Sequence, residues 1–246
     1  MPQNHLLSPA SINHLLTCPG DSVAIGRLIG PSTALAVVEL ARSREEPVLL
    51  LARDPRHADQ LEAEARWFSH EEIPVQHFVD WETLPYDTFS PHQDIISQRL
   101  RILSALPRLS KGIVIISSLS LGQRLPPVDY VSARTLELHI NQALDRDAFI
   151  ASMTASGYLR VSQVYSPGDY AVRGSLLDIF PMGSSKPIRV DLFGDQIDTI
   201  RYFDPDSQRS GIKTDTIQLL PAREVPLDKA GVQFFRHSYQ EQFEGI

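Results

Sequence analysis

Short apolar runs alternate with helix-period stretches through the first half of the chain. Residues 47–52 (PVLLLA) and 113–116 (IVII) predict strands buried on both faces, and 75–79 (VQHFV) predicts a third. After the first of these, Asp54 and Pro55 open a helix running to about Phe68, with Asp54 as N-cap and Pro55 at the first helical position. Ser90, Pro91 and Gln93 read as a capping box that starts an amphipathic helix, with Ile95, Ile96, Leu100 and Leu103 along one face. Ahead of all these, residues 22–41 (SVAIGRLIGPSTALAVVELA) have the layout of a strand, a glycine turn and an apolar helix. Strands separated by helices in this order predict a doubly wound α/β layer, a parallel sheet with helices on both faces.

The texture changes after Leu125, Pro126 and Pro127. One helix is predicted at 145–156, stopped by Gly157, and the strands that follow alternate with period two. Residues 188–193, the pair Gly194 and Asp195, and residues 196–203 read as a hairpin with a two-residue turn. A last stretch holds a strand at 216–220 and an aromatic helix with no stop signal before Ile246, as expected of a piece of something longer. The pattern divides the chain into an α/β block at 1–125, a small α+β block at 126–210, and a third block at 211–246.

Composition narrows the function classes. The 246 residues are 42% hydrophobic and 22% charged, as in a globular chain, and the net charge of −7 disfavours a module built to grip a nucleic-acid backbone. Arg99, Arg101 and Arg108 offer either a phosphate-binding stripe or the solvated face of the helix after Ser90, and the solvated face is expected. Cys18 is the only cysteine, so there is no disulfide framework or thiolate zinc site, and the cytoplasm is the expected location. No uncharged run approaches the ~18 residues of a membrane span. The eight histidines show no metal-ligand spacing, and no Gly-x-Ser-x-Gly elbow is present. Asp80, Glu82 and Asp87 read as a solvated loop rather than an acid/base pair.

The glycine turn is the one place where nucleotide chemistry is suggested. A working phosphate loop ends in Gly-Lys-Ser/Thr, the lysine reaching the outer phosphates and the hydroxyl holding magnesium. Here Gly26 and Gly30 are followed by Pro31, Ser32, Thr33 and Ala34, and the first lysine of the chain is Lys111. The loop reads as degenerate, with no cofactor, no catalytic residue and no ATP hydrolysis expected.

Residues 80–97 (DWETLPYDTFSPHQDIIS), 168–181 (GDYAVRGSLLDIFP) and 203–209 (FDPDSQR) closely resemble the N-terminal part of bacterial transcription-repair coupling factors, the Mfd-type translocases, with likeness extending from about residue 20 to 246. The resemblance implies a UvrB-like module: a RecA-like layer (domain 1a at 1–125, the start of 1b at 211–246) interrupted by an inserted UvrA-binding domain at 126–210. UvrB-like chains carry a long tyrosine-rich DNA-clamping hairpin between the positions of Tyr86 and Ser97, where this chain has a short loop. The implied function is non-catalytic recruitment of the excision-repair protein UvrA to a stalled RNA polymerase. By the same resemblance, polymerase and DNA contacts, and the motor, are expected in domains beyond Ile246. The alternative within the same fold is a residual noncanonical nucleotide site or a DNA-binding activity. The resemblance further implies that Arg173, Arg189 and Phe193 form the UvrA-contacting surface. Arg189 and Phe193, four apart on a strand, share a face, and Val172, Leu176 and Phe180 are the expected core positions beside Arg173.

Overall fold

The computed structural model describes residues 18–26, 28–84 and 87–242. The first 17 residues, Arg27, the pair Pro85 and Tyr86, and the end at Ile246 lie outside the described residues. The fold is mixed α/β and divides into two compact units. One comprises the described residues through Asp80 together with 105–123, the other 81–104 together with 124 onward.

In the first unit, β1 (Pro47–Ala52), β2 (Val75–Phe78) and β3 (Gly112–Ser117) form a parallel sheet in the order β1-β3-β2. The helices Ser32–Ser43 and Pro55–Ser69 supply Ala34, Val38, Ala41 and Ala58, Leu61, Ala65, spaced for one helical face, and bury them against Ile113 and Ile115. Asp54 caps the second helix as expected, accepting from the His57 N–H at 2.8 Å. Two expectations fail here. Residues 21–26 form no strand and are mostly exposed. The two helices do not flank the sheet either, since both pack on the Val48, Leu50, Ile113 and Ile115 side, while Leu49 and Leu51 of β1 are exposed on the other.

In the second unit, β4 (Leu136–His139), β5 (Leu159–Arg160), β6 (Asp169–Arg173), β7 (Leu176–Ile179), β8 (Ile188–Phe193), β9 (Gln196–Phe203), β10 (Ser210–Thr214) and β11 (Thr216–Leu219) build two sheets. The larger has the order β10-β9-β8-β7-β6-β5, antiparallel except for β5 with β6, and β4 pairs with β11. One face of the large sheet carries Leu177, Ile179, Ile188, Val190, Ile197 and Ile200 into a core shared with Phe149 and Met153 of the helix Arg146–Ala155. Gly157 ends that helix at φ +92°, and its missing Cβ leaves room for the Arg223 side chain, whose Cγ would lie only 2.8 Å from a Cβ placed there.

The helix expected from Ser90 begins at Gln93, with the His92 carbonyl accepting from the Ile95 and Ile96 N–H groups. Its Gln93–Ser104 part belongs to the second unit, where Leu100 enters the core. Arg99 is neither a phosphate contact nor solvated. It is 0% exposed, its Nε and Nη2 donating to Glu224 at 2.6 and 3.2 Å, with its guanidinium 4.8 Å from the Trp81 ring centroid. Trp81 Nε1 donates to the same carboxylate at 3.2 Å.

Breaking a buried pair from one side strands the other charge, at a cost of about 3–5 kcal/mol. Glu224→Ala is therefore expected to lower the unfolding free energy by about that much, and urea denaturation measures it; a loss under about 1 kcal/mol contradicts the assignment. In the first unit the Glu62 carboxyl is held below its ordinary value of 4.5, chiefly by its hydrogen bond with His77 at 2.8 Å, with bonds from Arg66 adding and burial opposing. A lowered carboxylate pKa stabilises the fold fully above the unfolded-state value, and that contribution is lost as pH falls through the folded-state value. Glu62→Gln is expected to flatten the fall in stability below pH 4.5; superimposable wild-type and variant pH profiles contradict this.

Candidate functional site

The outward face of the large sheet follows from ladder register, because directly opposed residues point to the same side. Arg173 pairs with Leu176, Leu176 with Asp191, Asp178 with Arg189, and Phe193 with Gln196. Arg173, Arg189 and Phe193 thus lie on one face, the first two on strands two spacings apart, about 10 Å. Both hairpins that set this register turn on glycine. Gly174 (φ +59°) and Gly194 (φ +63°) take the first turn position, where a two-residue loop of type II′ needs positive φ.

The same register corrects the expected core. Counting across the two-residue turn puts Leu177 and Ile179 with Val172 on the core side, while Leu176 lies on the face with Arg173. Phe180 instead joins Val164, Ala171 and Phe203 in a small separate cluster.

The three candidate residues differ in what they offer. Phe193 is 83% exposed beside the β8–β9 turn, an aromatic ring on the surface rather than in the core. Arg173 is exposed, with Nη2 donating to the Ser162 carbonyl at 2.8 Å. Arg189 is already engaged: Nε and Nη2 donate to Asp178 at 2.6 and 2.9 Å, and Nη1 to the Gln208 carbonyl at 3.3 Å and Ser210 Oγ at 3.2 Å. Its guanidinium sits 4.9 Å from the Phe203 ring centroid. The hydrogen bond with Asp178 raises the Arg189 pKa above its ordinary value, keeping the cation fixed. Of five guanidinium N–H groups, one on Nη2 remains, so Arg189 cannot offer a partner carboxylate the two-pronged grip its residue type suggests.

Asp178, Phe203, Gln208 and Ser210 are the positioning residues that the sequence reading missed. Asp178 left a signal, a lone carboxylate between Leu177 and Ile179, which are buried, and it is itself 1% exposed. Gln208, in the loop before β10, and Ser210, at its start, left none, since nothing local links them to Arg189.

At the glycine turn, Gly30 has φ +59° and the helix Ser32–Ser43 starts after Pro31, with Ser32 Oγ donating back to the Ile29 carbonyl at 2.8 Å. Ala34 is buried in the helix–sheet core, and Thr33 lies in the first helical turn. Gly26 has open space around its Cα. Among the described residues no group of His, Cys, Asp and Glu is gathered for a metal ion, and no helix is long and apolar enough to cross a membrane. Asp80 accepts from Gln123 Nε2 at 2.6 Å, and Asp87 from the Leu84 N–H at 2.7 Å.

Residues 136–225, the span that builds this sheet face and its core, match the family model described as the UvrB interaction domain. Over 225 residues the chain is 44% identical to the transcription-repair-coupling factor of Escherichia coli (strain K12), an alignment covering 92% of this chain and 19% of that protein. With the transcription-repair-coupling factor of Haemophilus influenzae it shares 42% over 230 residues, covering 94% and 20%. With that of Staphylococcus aureus (strain USA300) it shares 29% over 222 residues, covering 88% and 18%. The chain carries a UvrB interaction domain. Over nearly its whole length the chain is similar to transcription-repair-coupling factors, and it spans about a fifth of the length of the curated relatives it matches.

Proposed function

We propose that the chain is a non-catalytic docking module of transcription-coupled DNA repair that binds UvrA through the outward face of its large sheet. The observation that carries this is the coincidence of two things: residues 136–225 match the UvrB interaction domain, and that span presents Arg173, Arg189 and Phe193 on a single face. Phe193 supplies an exposed aromatic anchor, and arginine and aromatic residues are the types enriched among interface hot spots. Arg173, exposed and held only by one bond to the Ser162 carbonyl, is the cation that reaches outward, while Arg189, held by Asp178, keeps the face in one shape. In the longer protein the module delivers UvrA to a stalled RNA polymerase, the polymerase and DNA being held elsewhere. The three-stranded parallel layer is read as part of a RecA-like domain whose phosphate loop has lost the lysine and hydroxyl that nucleotide chemistry needs.

The engagement of Arg189 decides which variants test this. Arg189→Ala leaves the Asp178 carboxylate buried without its partner, so a drop in UvrA binding there mixes folding with docking. Arg173 and Phe193 carry no such burden. The Arg173→Ala, Phe193→Ala double variant is expected to bind UvrA with a Kd raised more than about tenfold, each truncation costing more than about 1 kcal/mol, and to unfold at the wild-type midpoint. Wild-type affinity in the folded double variant refutes the docking role.

A further inference from the structure

On the face that holds Arg189, the register lines up one residue from each of four strands. Asp178 of β7 stands opposite Arg189 of β8, Arg189 opposite Arg201 of β9, and Arg201 opposite Lys213 of β10. Directly opposed side chains have Cβ atoms about 5 Å apart, and like charges so placed repel. Asp178 is committed to Arg189 through both carboxylate oxygens. Among the described residues, Arg201 and Lys213 make no side-chain hydrogen bond or ion pair. Lys213 is exposed on an edge strand and Arg201 is half-buried. The row thus holds two adjacent cations, Arg201 and Lys213, with no acidic side chain paired to them among the described residues.

We infer that Arg201 and Lys213 form the carboxylate-binding end of the docking face, taking an acidic patch of the partner protein; this rests on the UvrA-docking reading and adds two contact residues to it. Arg201 presents a planar guanidinium suited to a two-pronged grip on a carboxylate, and Lys213 adds a point charge beside it. Arg189 backs the pair as a fixed neighbour. An acidic protein surface fits better than a nucleic-acid backbone. The next row carries Asp191 and Leu176, which repel or ignore phosphate, and Phe193 offers an apolar anchor one step further. The chain's net charge of −7 also opposes a polyanion of any length.

The test measures Kd of the purified chain for UvrA across a sodium chloride series, with urea unfolding of each variant as the fold control. Arg201→Glu and Lys213→Glu are each expected to weaken binding about tenfold or more and to flatten its salt dependence, and Arg201→Gln to weaken it less in the same direction. If Arg201→Glu does not fold, Lys213→Glu decides, because that side chain is exposed and has no partner to strand. Wild-type affinity in folded Arg201→Glu and Lys213→Glu, while the Arg173→Ala, Phe193→Ala variant still loses binding, overturns this inference and leaves the docking reading standing. A wild-type chain that does not bind UvrA overturns both. Duplex DNA binding by the wild type that Arg201→Glu abolishes gives the row to phosphate and overturns the acidic-protein assignment.

Discussion

The outward face of the large sheet is organised around a carboxylate that cannot be solvated. Asp178 is 1% exposed, between strand neighbours that belong to the core, and an uncompensated charge there costs several kcal/mol. Arg189, its register partner on β8, supplies both hydrogen bonds. With its remaining donors Arg189 then ties β8 to the Gln208 carbonyl and to Ser210 at the start of β10, and it lies against Phe203 at the end of β9. One buried acid thereby fixes the relation of four strands and a loop. Such a face is shaped before a partner arrives, which lowers the ordering cost of binding.

Much of this was legible in the sequence because period-two alternation and turn glycines specify strands and register. The hairpin of β8 and β9 stands where Gly194 and Asp195 predicted it, with a register shift at Asp191 and Leu192 that no local signal announced. What failed at β6 and β7 was parity. Choosing Leu176 rather than Leu177 as core moves every side chain of the strand to the wrong face, and the apolar pair offers no way to choose without the turn count. Phe193 was expected on the face of Arg189, and the alternation of β8 places that face at the surface, since Ile188, Val190 and Leu192 are the buried set.

Elsewhere the misreadings share a cause: contacts distant in sequence. Arg99 reads as a solvated or phosphate-binding arginine on its helix, yet its partner Glu224 lies 125 residues away. The helix carrying it consequently groups with the second unit and not with the first apolar block. At residues 22–25 a strand-like apolar run pairs with no described strand, and a β-run without a ladder remains irregular. Both long helices of the first unit lie on one side, where Ala34, Ala41, Ala58 and Ala65 are buried in one cluster with Ile113 and Ile115 of β3.

The claim on which this account turns is that Asp178 acts on docking through Arg189. A double-mutant cycle measures it directly, with UvrA affinity determined for wild type, Asp178→Asn, Arg189→Gln and the double variant, each confirmed folded. The account predicts that the two single losses overlap, with a coupling of more than about 1 kcal/mol, as for residues in one hydrogen-bonded network. Strictly additive losses, or a folded Asp178→Asn variant with unchanged affinity, would contradict it.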